Sequence, residues 1–142
     1  MSNLNNFTRP CSSLASLQSF SLILGIKFYG TPYTKKREGS NPAFALLEHE
    51  LDEKWSQIPS DTDVLITHMP PYGIQDLNKH GGNEGCPDLL KAVIDRIKPK
   101  LHVFGHIHIS GGKSESNETI FVNAAIGDKP PFKLPIVVDY NL

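Results

Sequence analysis

Leu101–His108, LHVFGHIH, carries an apolar run straight into a glycine and then two histidines spaced two apart. Strand residues bury apolar side chains, whereas imidazoles at a strand end are suited to holding a ligand. A second segment of the same kind lies upstream. DVLITH, Asp63–His68, is an apolar run that also ends in histidine, and Pro70 and Pro71 stiffen the loop behind it.

Working outward, strands and helices alternate. GIKFYGTPY, Gly25–Tyr33, reads as a short strand closed by Gly30 and Pro32. NPAFALLEHELDEKW is predicted as a helix, with Asn41 at the N-cap and Pro42 in the first helical position. Phe44, Leu47, Leu51 and Trp55 would form its apolar stripe. PDLLKAVIDRIKP is a second helix with Leu90, Val93, Ile94 and Ile97 on one face. TIFVNAAI and LPIVVDY close the chain as two further strands. This order implies βαβ units, a partly parallel sheet and consecutive antiparallel strands at the end, an α/β fold class. In such sheets ligands gather outside the carboxyl ends of the strands, where His68, His106 and His108 fall.

A chain of 142 residues suits one domain, and 39% apolar residues allow a usable core. A net charge of -1 gives no general attraction for nucleic acid or anionic lipid, and no basic stripe or nucleic-acid motif is present. Cys11 and Cys86 lie far apart in no ligand or disulfide pattern, which suggests a reduced, cytoplasmic setting. The longest apolar window, FSLILGIKFY, is too short to span a bilayer. Met1–Arg37 has no acidic residue, and Ser12, Ser13, Ser16, Ser19 and Ser21 crowd together, so organellar targeting stays open. Residues 1–24 are expected to be a serine-rich, disordered or atypical start, and 25–142 the folded portion.

Neutral imidazole suits zinc, manganese and iron alike, and three histidines with open positions for water form a known catalytic arrangement. His68, His106 and His108 are the candidate metal ligands, with Gly105 expected to allow close backbone approach. His49, among charged helix residues, and His80, in the polar loop NKHGGNEG, read as exposed. His102, alternating with Val103, reads as a packed or locally bonded strand residue.

DVLITHMPPYG followed by LHVFGHIH resembles the second half of a calcineurin-like metallophosphoesterase, and is most similar to the small metallophosphoesterase domain-containing proteins. The likeness extends through GIKFYGTPY and FVNAA to PPFKLPIVVDY. The resemblance implies a β-sandwich flanked by helices and a site with two divalent cations that activate water against a phosphoester. It implies His68 and His106 on one metal and His108 on the other, with phosphodiesters such as cyclic nucleotides as substrates.

The family's first half also brings an Asp-x-His, a metal-bridging Gly-Asp and a Gly-Asn-His, and this sequence has none of them in place. Its one Gly-Asp, Gly127-Asp128, falls after the histidine motifs. Met69 and Ile109 depart from the family pattern as well. Two dications about 3.5 Å apart repel by about 5 kcal/mol even in bulk water, which neutral histidines do not offset. At most one ion is therefore expected, in a partial sandwich lacking its N-terminal strands, with bare edges and a bare apolar face. Such a chain would self-associate or pair with a full-length homologue. Three functions compete: a metal-dependent phosphoesterase, a non-catalytic truncated homologue that binds or regulates a longer one, and a mononuclear three-histidine zinc hydrolase.

Overall fold

Residues 18–39, 42–127 and 133–140 are described by the computed structural model. The strands are β1 (Ser19–Ile23), β2 (Ile26–Thr31), β3 (Thr34–Lys35), β4 (Ala45–Leu46), β5 (Val64–Thr67), β6 (Leu101–Phe104), β7 (Gly112–Ser116) and β8 (Thr119–Asn123). The helices are α1 (Glu48–Ser56) and α2 (Pro87–Lys91), the latter continued as a π-helix over Ala92–Ile97. Six strands form one sheet in the order β1-β2-β5-β6-β8-β7, while β3 and β4 pair separately. Strands β2, β5, β6 and β8 run parallel, and the antiparallel neighbours β1 and β7 flank them. The α/β class expected from the sequence is the one observed.

Strand alternation divides the sheet into two faces. Tyr29, Leu65, His102 and Phe121 stand side by side in register. On this face Trp55 and Leu51 of α1 and Leu89, Val93 and Ile97 of the second helix complete the core with Tyr29, Leu65 and Phe121. The opposite face carries Phe28, Val64, Leu101 and Ile120 in one row and Ile66, Val103 and Val122 in the next. Residues 133–140 run over part of it, leaving a cleft of about 590 Å³ between Leu134, Pro135, Ile136 and Val138 and the side chains of Leu101, Val103 and Val122. Ile66 remains 45% exposed, so this face is only partly covered.

Several expectations are corrected. The first helix begins at Glu48, six residues after Pro42. Phe44 takes φ +62°, and β4 pairs with β3 through Thr34 N–H to Phe44 C=O and Lys36 N–H to Leu46 C=O, at 3.1 and 2.8 Å. That pairing consumes the segment read as the first helical turns. Leu47 becomes the cap, its N–H held by the Glu50 carboxylate at 2.7 Å, and Leu51 and Trp55 keep their predicted burial. In the second helix the buried set is Leu89, Val93 and Ile97, while Leu90 and Ile94 are only half-buried. Leu89, Val93 and Ile97 are spaced four apart, a spacing that keeps side chains on one helix face. The face expected from the sequence shares Val93 and Ile97 with this set and has Leu90 in place of Leu89.

LPIVVDY belongs to neither sheet. The chain's last two strands were expected to be consecutive antiparallel neighbours, yet β8 lies parallel to β6 and pairs antiparallel with β7, the polar GKSES segment. The segment before Gly25 contains β1, joined to β2 by a two-residue turn in which Leu24 and Gly25 have φ +51° and +85°, the signature of a tight hairpin. Asn41, Cys11, Ser12, Ser13, Ser16 and Asp128 lie outside the described residues. No helix among those residues is long and apolar enough to cross a membrane.

Candidate metal centre

The parallel strands end together: Thr31 pairs with Thr67, and Phe104 with Asn123. The loops leaving this edge carry the histidines. Gly105 N–H donates to His68 C=O at 3.1 Å, stitching the two loops. A Cβ at Gly105 would meet nothing within 4 Å, so close approach is not its role. The unusual backbone falls one residue later. His106 has φ +69°, and Ile107 N–H donates across it to Gly105 C=O at 2.8 Å. This is a γ-turn of the rarer, positive-φ hand. Such a conformation in a non-glycine residue costs about 1–3 kcal/mol and persists only where the surroundings impose it.

The turn aims His106 at His68. Their Nδ1 and Nε2 atoms are 3.1 Å apart, with ring centroids at 4.9 Å and an interplanar angle of 62°. Burial holds both imidazoles below their ordinary pKa range. The neighbouring His108 adds to the shift at His68; at His106, His68 and the Arg37 guanidinium add to it while Glu84 opposes it. Both rings are thus neutral at pH 7, with lone pairs available. Ligands about 2.0–2.1 Å from one cation lie about 3.0 Å apart on adjacent octahedral positions and about 3.4 Å apart on tetrahedral ones, so the pair fits two ligands of a single ion.

His108, the third sequence candidate, is exposed in the 3-10 turn His108–Ser110, near enough to perturb both rings. Among the described residues, no three or more His, Cys, Asp or Glu side chains group in a way that would hold a metal. The nearby carboxylates are engaged elsewhere. Glu84 pairs with Arg37 and accepts from Asn78, each at 2.7 Å. Asp76 is buried and accepts from Gly73 N–H, Gly85 N–H and Asn83 Nδ2 at 2.8–2.9 Å, which folds the loop between β5 and α2. The residues present fit half the ligand set of one cation, and nothing among them fits a bridge between two.

The remaining histidines separate cleanly. His49 and His80 are exposed. His102 is fully buried beside Phe104 and Phe121. Thr67 hydroxyl donates to Met69 C=O at 2.7 Å, so it accepts from His102 Nε2–H at 2.9 Å. That leaves His102 Nδ1 without a partner, and burial pushes its pKa down to about 3. Sequence reading missed the supports of the histidine loop. Asn123 contacts Ile107 C=O at 2.9 Å, Ser110 hydroxyl donates to Leu77 C=O at 2.7 Å, and Lys133 Nζ reaches His108 C=O at 2.8 Å and Ile109 C=O at 3.1 Å. Asn123 had a visible signal: like His68, it is a polar residue ending an apolar strand.

Comparison with known proteins agrees with this architecture. Residues 12–110 match the profile of the calcineurin-like phosphoesterases. A UPF0046 protein of Caenorhabditis elegans is 43% identical over 105 residues, covering 73% of this chain and 26% of the relative. Metallophosphoesterase domain-containing protein 1 of Homo sapiens is 40% identical over 121 residues, covering 82% of this chain and 36% of the relative. The chain thus spans well under half the length of these relatives. A solved crystal structure at 17% identity aligns with TM-score 0.55 over 75% of this chain and 44% of its own, a likeness of fold alone. With a matching profile over most of its length, the chain belongs to the calcineurin-like phosphoesterase family.

Proposed function

We propose that this chain serves metal-dependent phosphoester hydrolysis, with phosphodiesters of the cyclic-nucleotide class as substrates, and that His68 and His106 hold one divalent cation with His108 beside them. The observation that carries this reading is the facing His106 Nδ1 and His68 Nε2, 3.1 Å apart on a strained turn at the carboxyl edge of the parallel strands. Family membership supports a divalent metal and phosphoester chemistry at that coarse level. When bound, the cation supplies Lewis-acid polarisation of a phosphoryl oxygen. The chain's own part is to present two imidazoles that burial keeps neutral.

Metal stoichiometry tests it. The purified chain is loaded with Mn²⁺, freed of excess, and compared with His106→Ala by elemental analysis. One ion per chain, lost in the variant, is the expected result. No bound ion, or equal binding by the variant, overturns the site, and two ions per chain overturn the single-ion count. A second reading, a non-catalytic homologue that pairs with a longer relative, draws support from the missing third ligand among the described residues. It predicts Mn²⁺-loaded chain that leaves a cyclic phosphodiester intact while binding the longer relative in a pull-down; turnover would exclude it.

A further inference from the structure

Asn123 ends β8 at the edge where the histidine loops leave β5 and β6, and it is wholly buried. Its Nδ2 donates to Ile107 C=O at 2.9 Å and to Gln75 C=O at 3.0 Å, while its Oδ1 accepts from Ala125 N–H at 3.1 Å. Two carbonyls on one side and an N–H on the other fix the orientation of the amide. Three segments meet on this one side chain: the loop after β5, the turn after β6 and the exit from β8.

The contact with Ile107 matters most. Ile107 N–H closes the γ-turn over His106, and Ile107 C=O is gripped by Asn123, so Ile107 is held on both sides between His106 and His108. The strained φ at His106 needs such an external restraint. Ser110 ties the same turn to the β5 loop from its outer side, through Leu77 C=O at 2.7 Å.

We infer that Asn123, seconded by Ser110, is a positioning residue that sets the His106 turn and so preforms the cation site; this rests on the reading of His68 and His106 as ligands. A residue with a merely structural role would stabilise the whole chain. A positioning residue instead changes cation affinity and local opening of the turn beyond any global effect.

Co²⁺ binding, followed by its absorption spectrum, and amide hydrogen exchange are measured on the full chain and on Asn123→Ala. The variant should bind Co²⁺ about 10–100-fold more weakly, the usual scale for losing an outer support of a metal ligand. Exchange at Ile107 should accelerate more than at Leu65 and Phe104 in the central strands. Unchanged Co²⁺ affinity overturns the inference, as does a common factor for affinity and all amides. If the wild-type chain binds no Co²⁺, the ligand reading itself fails and this inference with it; wild-type binding with an indifferent variant defeats the inference alone. Should Asn123→Ala not fold, Ser110→Ala decides: weaker Co²⁺ binding with unchanged strand exchange supports the clamp, and unchanged binding refutes it.

Discussion

Lowering the pH should destabilise this chain through His102, and the size of the effect follows from its surroundings. His102 is fully buried, and burial pushes its pKa to about 3 against an ordinary 6.5. Above pH 6.5 the imidazole is neutral in both the folded and unfolded states and contributes nothing to pH dependence. Between pH 6.5 and about 3 the unfolded chain takes up a proton that the folded one refuses, so stability falls as pH falls. At pH 5, 1.5 units below the unfolded value, the loss is about 2 kcal/mol, at 1.36 kcal/mol per unit. That figure depends only on the unfolded pKa while the folded one stays well below 5. His68 and His106 are shifted in the same direction, so a single pH series cannot assign the effect. His102→Leu can. Leucine suits the pocket beside Phe104 and Phe121 and removes the partnerless Nδ1. Thr67 loses one donor but keeps its own bond to Met69 C=O, so stability at pH 7 should change by about 1 kcal/mol at most. Urea unfolding of metal-free protein at pH 7 and pH 5 should show the wild type losing about 2 kcal/mol more than the variant. Parallel losses in the two proteins would refute the assignment of the proton to His102.

His106→Gly should relieve the positive φ and raise metal-free stability by up to about 1 kcal/mol in urea unfolding, while abolishing Mn²⁺ binding. A destabilised variant would show that the turn is not strained. Gly85→Ala should do the opposite. Its Cβ would sit 2.4 Å from Pro71 O and 2.7 Å from Tyr72 Cα, both backbone, so the loop over the core must shift, at about 1–3 kcal/mol or more. A melting temperature equal to the wild type would contradict that packing.

How far the sequence could be read depends on what each segment's outcome was decided by. DVLIT and LHVF are short apolar runs whose burial is set locally, and both became central parallel strands with histidine at their exits. GKSES offered no apolar alternation at all. It is a strand because β8 supplies a ladder beside it, information held by another segment. Phe44 sits at helical spacing from Leu47 and Leu51, yet pairing between β3 and β4 overrides that period. LPIVVDY has the composition of a strand, but it lies over the face of the sheet, against Leu101, Val103 and Val122, where no ladder is offered to it. At the site, residue type identified the histidines, while the orientation that brings His106 to His68 lies in one backbone angle at His106, and no composition reveals it. Asn123 acts through carbonyls of distant loops, so its role emerges only when β8 docks beside β6.

The two margins of the large sheet differ in chemistry. Among the described residues the outer strand β1, Ser-Phe-Ser-Leu-Ile, is exposed throughout and has no charge, whereas β7 at the far margin bears Lys113 and Glu115. Charged side chains along an outer strand discourage pairing with another chain, and their absence permits it. A sheet with one permissive margin has a built-in stopping rule. Two copies joined β1 to β1 about a twofold axis would leave only β7 margins outermost, and growth would halt there. With both margins permissive, each added copy would present a fresh edge, and the same contact would propagate as a filament.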